Sequence, residues 1–477
     1  VLFRSAKELV TKTGFTGNNP YSAYPRKERI KFTIQVKDDV TGTYVPKTAY
    51  LDMIQVRRIE NPKGVWRSAG KSDNFHVTLM RLPYDNAEDF KPFNSEGAWR
   101  ATIIDGGDDF ITLRSTVEGS GSDNVQQTGV KSIEGAGEHP IDFWIDFKGT
   151  IPEGATPRCA IVRVRYHNYT CEHDIFVRQG YAPITINGNA ESDNNPAWTS
   201  YNVYRFDANN APVYTKSPLE EGSLFRRGNR TAILASNNDR SGFTFGVEPT
   251  GSFNVLEFGS ATTSQKTWSQ LAPSTDDVTN RFKEWSIAGD HERIATIEDF
   301  YTLESTSIHS NINKAYGVLY GDGATETQKS VKEAFGYDHN EDPTNSKKGM
   351  RGCFVFNVNN SRNIFFPIGK SGYGRRKGMT SNGEKVGTLR YAQRTDYYNN
   401  DGTGNIQYVP LFYDLFERPG AIYQCRNRLE STNNEVKNSS AFDINYFTMG
   451  FEGFENGASN NSDGSDSDAC FIRTVKY

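Results

Sequence analysis

The chain contains no hydrophobic run long enough to cross a bilayer: none of its 477 residues belongs to the roughly eighteen consecutive apolar side chains that a spanning helix needs. It also lacks a charge excess. With 54 Lys and Arg against 58 Asp and Glu, the net charge is −4, too small to draw the chain onto nucleic acid or an anionic membrane by charge alone, so nucleic acid is not an expected partner, while peripheral or lipid-anchored membrane association stays open. No signal peptide is read at the start. The sequence as given begins at Val1, which leaves room for an export signal or lipid anchor ahead of it.

Histidine is scarce, with seven residues at 76, 139, 167, 173, 291, 309 and 339. They form no His-Glu-x-x-His motif and no Cys/His pair at zinc spacing, so no transition-metal site is expected. His167, Cys171 and His173 read as exposed side chains of one hairpin. Cysteine is odd in number (Cys159, Cys171, Cys353, Cys425, Cys470), so at least one thiol has no intramolecular disulfide partner. Most of the five are expected as small buried side chains. A serine-hydrolase elbow is missing too, because Gly369-Lys370-Ser371-Gly372 falls one position short of Gly-x-Ser-x-Gly. No residue pair is nominated as the two carboxylates of a glycosidase. No catalytic residue is assigned, and the expected function is not enzymatic.

What is present is glycine (43), phenylalanine (30) and tyrosine (24) among loops rich in Asn and Ser, a composition of short aromatic strands joined by polar turns. The segment IKFTIQV from Ile30 alternates apolar and polar residues, which predicts a strand with one face on a core and the other in water. YLDMIQV, NFHVTLM, WRATII, DFITL, IDFWIDF, CAIVRVRY and DIFVRQ read the same way. Turns are expected at Asn61-Pro62-Lys63-Gly64, at Asp105-Gly106-Gly107 and at 119–122. A hairpin centred on Asn168 and Tyr169 sets Cys171 opposite Tyr166 and Cys159 opposite Arg178, a register in which the two cysteines do not face each other.

The first region thus reads as an Ig-like β-sandwich ending near Gln179-Gly180, over 1–182. The aperiodic stretch 181–197 reads as a linker. A second region, 190–477, adds two helices to its strands and reads as α+β. One helix starts at Thr296 with a reciprocal cap from Asp299, and the other runs from Thr325 to a stop at Gly336. The last strand, within 469–475, is expected to dock into a sheet. The fold class is mainly β with an α+β second half.

Two stretches of the first region carry a resemblance. Arg58-Ile59-Glu60-Asn61-Pro62-Lys63-Gly64-Val65-Trp66-Arg67 with Asn74-Phe75-His76-Val77-Thr78-Leu79 is similar to a segment common in Bacteroidetes surface proteins. Cys159 to Tyr181 resembles the closing hairpin of the Bacteroidetes-associated carbohydrate-binding, often N-terminal (BACON) domain. In the second region, Trp198-Thr199-Ser200-Tyr201-Asn202-Val203, Arg293 to Phe300, Ile364 to Gly369 and Ala469 to Lys476 resemble the Fibrobacter succinogenes major paralogous domain, a C-type-lectin-like module. Ala295, Phe300 and Thr474 depart from its usual Pro, Trp and Cys.

The resemblance implies a secreted cell-surface protein of fimbrial or outer-membrane location that serves cell adhesion as a tip or accessory subunit of a pilus. Its partners would be other fimbrial subunits, a host protein or a surface glycan. The alternative is a glycan-capture accessory of an outer-membrane polysaccharide uptake system. Residues expected to touch such a ligand are Tyr373, Arg375, Arg376, Tyr391, Arg394, Asp396, Tyr397 and Tyr398, where aromatic rings and hydrogen-bonding side chains crowd one loop region. No cofactor is called for. The acidic loops 396–405 and 463–468 suit Ca²⁺ in their oxygen ligands, although solvated loops explain them more simply.

Overall fold

The computed structural model describes residues 26–81, 91–116, 127–226, 229–235, 251–272, 291–303, 311–323, 349–367, 420–425, 445–458 and 469–477, with short gaps inside these ranges. Strands take 56% of them, and the α-helix among them, Ile297–Tyr301, spans 5 residues, so the chain is mainly β as its composition predicts. The helix starts as read from the sequence. The Thr296 hydroxyl accepts from the Asp299 amide, and the Asp299 carboxylate accepts from the Thr296 amide. The second expected helix, 325–336, lies outside the described residues.

A nine-stranded sheet organises the molecule. Its main path runs Ser132–Gly135, Trp99–Asp105, Arg158–Tyr166, Cys171–Gln179, Lys63–Arg67, Ile312–Tyr320, Met350–Asn357 and Asn363–Pro367, and Arg57–Arg58 pairs off this path with Cys171–Gln179. The expected hairpin is present in the expected register, Tyr166 opposite Cys171 and Cys159 opposite Arg178. Lys63–Arg67 sits in the middle, parallel to strands on both sides, and all of it is buried. A strand covered on both faces needs no polar alternation, which is why KGVWR carries no period-2 signal. The turn expected at Lys63-Gly64 is instead the start of this strand. Glycine is required at 64 because a Cβ there would collide with the Phe354 ring.

Alternation across the sheet feeds two cores. Val65, Ile175, Val177, Val318 and Tyr320 face one way, into a core closed by the three-stranded sheet of Asn74–Thr78, Asp142–Phe147 and Ile111–Ser115. Trp66, Phe176, Leu319, Phe354 and Phe365 face the other way. A third core gathers Cys353, Val355 and Phe366 with Trp198, Phe300, Phe253, Trp268, Phe471 and Val475.

Because Lys63–Arg67 pairs with Ile312–Tyr320, one sheet takes strands from both of the regions read from the sequence. The segment 181–197 that joins them is packed rather than free, with Ile184 and Ile186 buried in the third core. The C-terminal residues dock as expected. Ala469–Cys470 pairs with Ser223–Arg226, and Arg473–Lys476 lies between Ala197–Phe206 and Glu292–Ile294. Among the described residues no helix is long and apolar enough to cross a membrane.

Candidate interaction surface

All eight residues expected to touch a ligand, Tyr373, Arg375, Arg376, Tyr391, Arg394, Asp396, Tyr397 and Tyr398, lie outside the described residues, as do both acidic loops. Among the described residues no group of three His, Cys, Asp or Glu is placed to hold a metal ion. His173 and Cys171 are buried, not exposed as expected. Their strand sends Ile175 and Val177 into one core and Phe176 into another, so both of its faces are covered. Burial, with Lys63 adding to it, holds the His173 imidazole well below its usual range. Burial likewise pushes the Cys159 thiol up, which makes it a poor nucleophile.

The inner polar groups act as fasteners. The buried guanidinium of Arg178 stacks 4.5 Å over Trp66 and donates to the carbonyls of Gly180, Asn363 and Ala182 and to the Ser200 hydroxyl. Arg473, also fully buried, donates to Asn202 Oδ1 and to the carbonyls of Thr199 and Phe365. Desolvation lowers both, Arg178 to about 10. Tyr423 beside Arg473 is pushed up to about 12 by its own burial. A cation satisfied by carbonyls of several segments holds those segments together. An arginine at a core position of an apolar strand, as in DIFVRQ, is the sequence signal for such a fastener, and reading the strand for its period alone passes over it.

One outer surface brings an aromatic ring and charges together. On the three-stranded sheet, Trp144 stands between His76 and Arg114, which are its direct cross-strand neighbours. The His76 ring stacks on it at 4.5 Å with planes 16° apart, and the Arg114 guanidinium lies 4.8 Å from its centroid. Asp146 fixes Arg114 through two hydrogen bonds of 2.9 and 3.0 Å, and Asp142 sits 3.0 Å from His76. His76 and Arg114 come from strands on opposite sides, so both faces of the indole are already covered. A pyranose has no free ring face to lie on here.

The larger surface is the hairpin of Arg26–Lys37 and Tyr44–Gln55, two antiparallel strands of 12 residues each. Asp38 builds its turn. Its carboxylate accepts from the amides of Val40 (3.0 Å) and Thr41 (2.8 Å) and from the Thr41 hydroxyl, and these bonds hold it below the usual carboxylate range. Gly42 closes the turn at φ +66, a conformation that favours glycine.

The register sets Phe32 opposite Ala49, Ile34 opposite Lys47 and Val36 opposite Val45, so these six share one face, interrupted only by Lys47. Lys31, Thr33, Gln35 and Lys37 share the other with Tyr44, Pro46, Thr48 and Tyr50. The alternation expected of IKFTIQV is present, but its apolar face does not rest on a core. Phe32 is 47%, Ile34 63% and Val36 38% exposed. Among the described residues no third strand pairs with the hairpin, and none of its residues belongs to a core cluster. A long two-stranded ribbon with one exposed apolar face is marginal alone and gains stability when covered. No family model matches this sequence, and no curated protein matches it.

Proposed function

We propose that the chain is a non-enzymatic adhesion protein of a bacterial surface, an accessory or tip subunit of a fimbrium, and that the hairpin is the element by which it joins its protein neighbours. The observation that carries the reading is the apolar hairpin face left open to solvent beside a body whose own cores are closed. The face offers side-chain methyls, a phenyl ring and one amine, which is chemistry for packing another polypeptide rather than for hydrogen-bonding a sugar. The resemblance of residues 58–79 and 159–181 to Bacteroidetes surface proteins supports the same reading.

Affinity purification from the native cell surface, with the wild-type chain and with Ile34→Thr, tests it. Wild type is expected to copurify with fimbrial subunits, and the variant to lose at least ten-fold of that recovery, the factor that a lost contact of about 1.4 kcal/mol produces. Copurification with transporter proteins and hydrolases, unchanged by Ile34→Thr, would contradict the reading and favour glycan capture.

A further inference from the structure

The segment 181–197 that connects the two regions carries an Asn-Gly pair in a turn. Ile186 is buried, Asn187 is half-buried, and Gly188 and Asn189 are exposed. Gly188 sits at φ +85, and a Cβ there would come within 3.1 Å of Asn360 Nδ2, so glycine is the residue that fits. The Asn187 side chain is held at one atom, its Oδ1, which accepts from the Asn189 amide at 2.9 Å. Among the described residues neither Asn187 Nδ2 nor the Gly188 amide donates a hydrogen bond.

We propose that Asn187 is a self-modification site, at which the chain converts its own asparagine to aspartate and isoaspartate without an enzyme. Hydroxide removes the Gly188 amide proton, and that nitrogen attacks Asn187 Cγ to close a five-membered ring. The negative charge that develops on Oδ1 falls where the Asn189 N–H already points, the arrangement of an oxyanion hole. The Cγ–Nδ2 bond then breaks, and Nδ2 takes protons from water and leaves as ammonia, which makes the ring a succinimide. Water opens the ring at either carbonyl. Opening at Cγ gives aspartate, and opening at the main-chain carbonyl of residue 187 gives isoaspartate. The balance is one water consumed and one ammonia released, with no oxidant or cofactor. Because nucleophile and electrophile are adjacent in one turn, the attack is intramolecular, and glycine adds no side chain to shield it.

The fold selects this pair over another. Asn456-Gly457 has the same two residues, but it lies in the strand Gly453–Ala458, paired with Asn445–Gly450. The extended backbone of such a strand, with ψ near about +135°, turns the next amide nitrogen away from the asparagine side chain. Conversion at 187 has two consequences. It adds a negative charge beside the Arg362 guanidinium, whose Nε lies 3.7 Å from where a Cβ on Gly188 would stand. Isoaspartate also adds a main-chain carbon to a turn pinned at both ends, where Asn357 and Asn360 donate to the Ile186 carbonyl and the Thr185 hydroxyl donates to the Asn189 carbonyl. The longer turn gives up one of these bonds and holds the loop at 358–362 less tightly.

Peptide mapping by tandem mass spectrometry tests this on the purified full chain, aged folded at pH 8 and at pH 6, and unfolded in urea at pH 8. In the folded chain Asn187 is expected to convert at least ten-fold faster than Asn456, the ratio that a barrier difference of about 1.4 kcal/mol produces. Conversion is expected to be faster at pH 8 than at pH 6, and protein isoaspartyl methyltransferase is expected to label the aged chain at residue 187. In urea the two pairs are expected to convert at similar rates. Gly188→Ala is expected to slow conversion at 187 and leave that at 456 unchanged. Equal rates at 187 and 456 in the folded chain, or no isoaspartate at 187, overturn the inference. A ratio that persists in urea overturns the part assigned to the fold.

Discussion

Arg473 shows what single residues do in this chain. Its guanidinium is fully buried, and three acceptors on two strands, Ala197–Phe206 and Asn363–Pro367, depend on it. Replacing it with leucine leaves Asn202 Oδ1 and two carbonyls without that donor, and each buried unsatisfied group costs about 1–3 kcal/mol. Arg473→Leu is expected to lower the unfolding free energy by about 3 kcal/mol or more, measured by denaturant titration. His173 makes a second prediction at this scale. Its folded-state pKa is depressed, so the folded chain keeps it neutral while the unfolded chain protonates it near its ordinary value of about 6.5. Stability is full above that pH and falls as pH drops below it, since the unfolded state then binds the extra proton. The wild-type unfolding free energy should decline by up to about 1.4 kcal/mol per pH unit from this group below pH 6.5. A His173→Leu variant measured over the same range should lose that part of the slope, and an equal slope in both proteins would exclude His173 as its source.

At the scale of elements, local signals were readable and long-range ones were not. The 158–179 hairpin could be read to the residue, because an antiparallel pair joined by a short turn has only one register once the turn is placed. The helix cap at Thr296 and Asp299 was equally legible, since both partners lie within four residues. The strand Lys63–Arg67 was hidden behind Pro62 and Gly64. Glycine reads as a turn former, yet here its missing side chain admits the Phe354 ring from a strand nearly 300 residues away. Parallel pairing with Cys171–Gln179 and Ile312–Tyr320 leaves no turn in the sequence to announce it. The hairpin of 26–55 failed in a different way. Alternation marks which residues share a face and says nothing of whether this chain supplies the layer that covers it. The candidate surface was therefore written in the sequence as a strand pair and became legible as a surface only from its exposure.

For the molecule as a whole, the nine-stranded sheet ties the two regions into one body, because residues near 65 and near 318 are neighbours in it. Arg178 reinforces the junction by binding the carbonyls of Gly180 and Ala182 on the connecting segment together with Asn363 and Ser200 beyond it. Outside this body stands one ribbon whose two long faces, over residues 31–37 and 44–50, are exposed or nearly so. The contrast is what the proposed docking role rests on: the body closes its own cores, and the ribbon's apolar face is covered by none of the described residues.

Hydrogen exchange read by mass spectrometry on the full chain, alone and again with copurified fimbrial subunits, tests this directly. The amides of residues 30–50 are expected to exchange orders of magnitude faster than those of Lys63–Arg67 in the chain alone and to become protected when the subunits are bound, while the body is unchanged. Hairpin amides as protected as the central strand in the chain alone would mean that the chain covers its own ribbon, and would contradict the docking role.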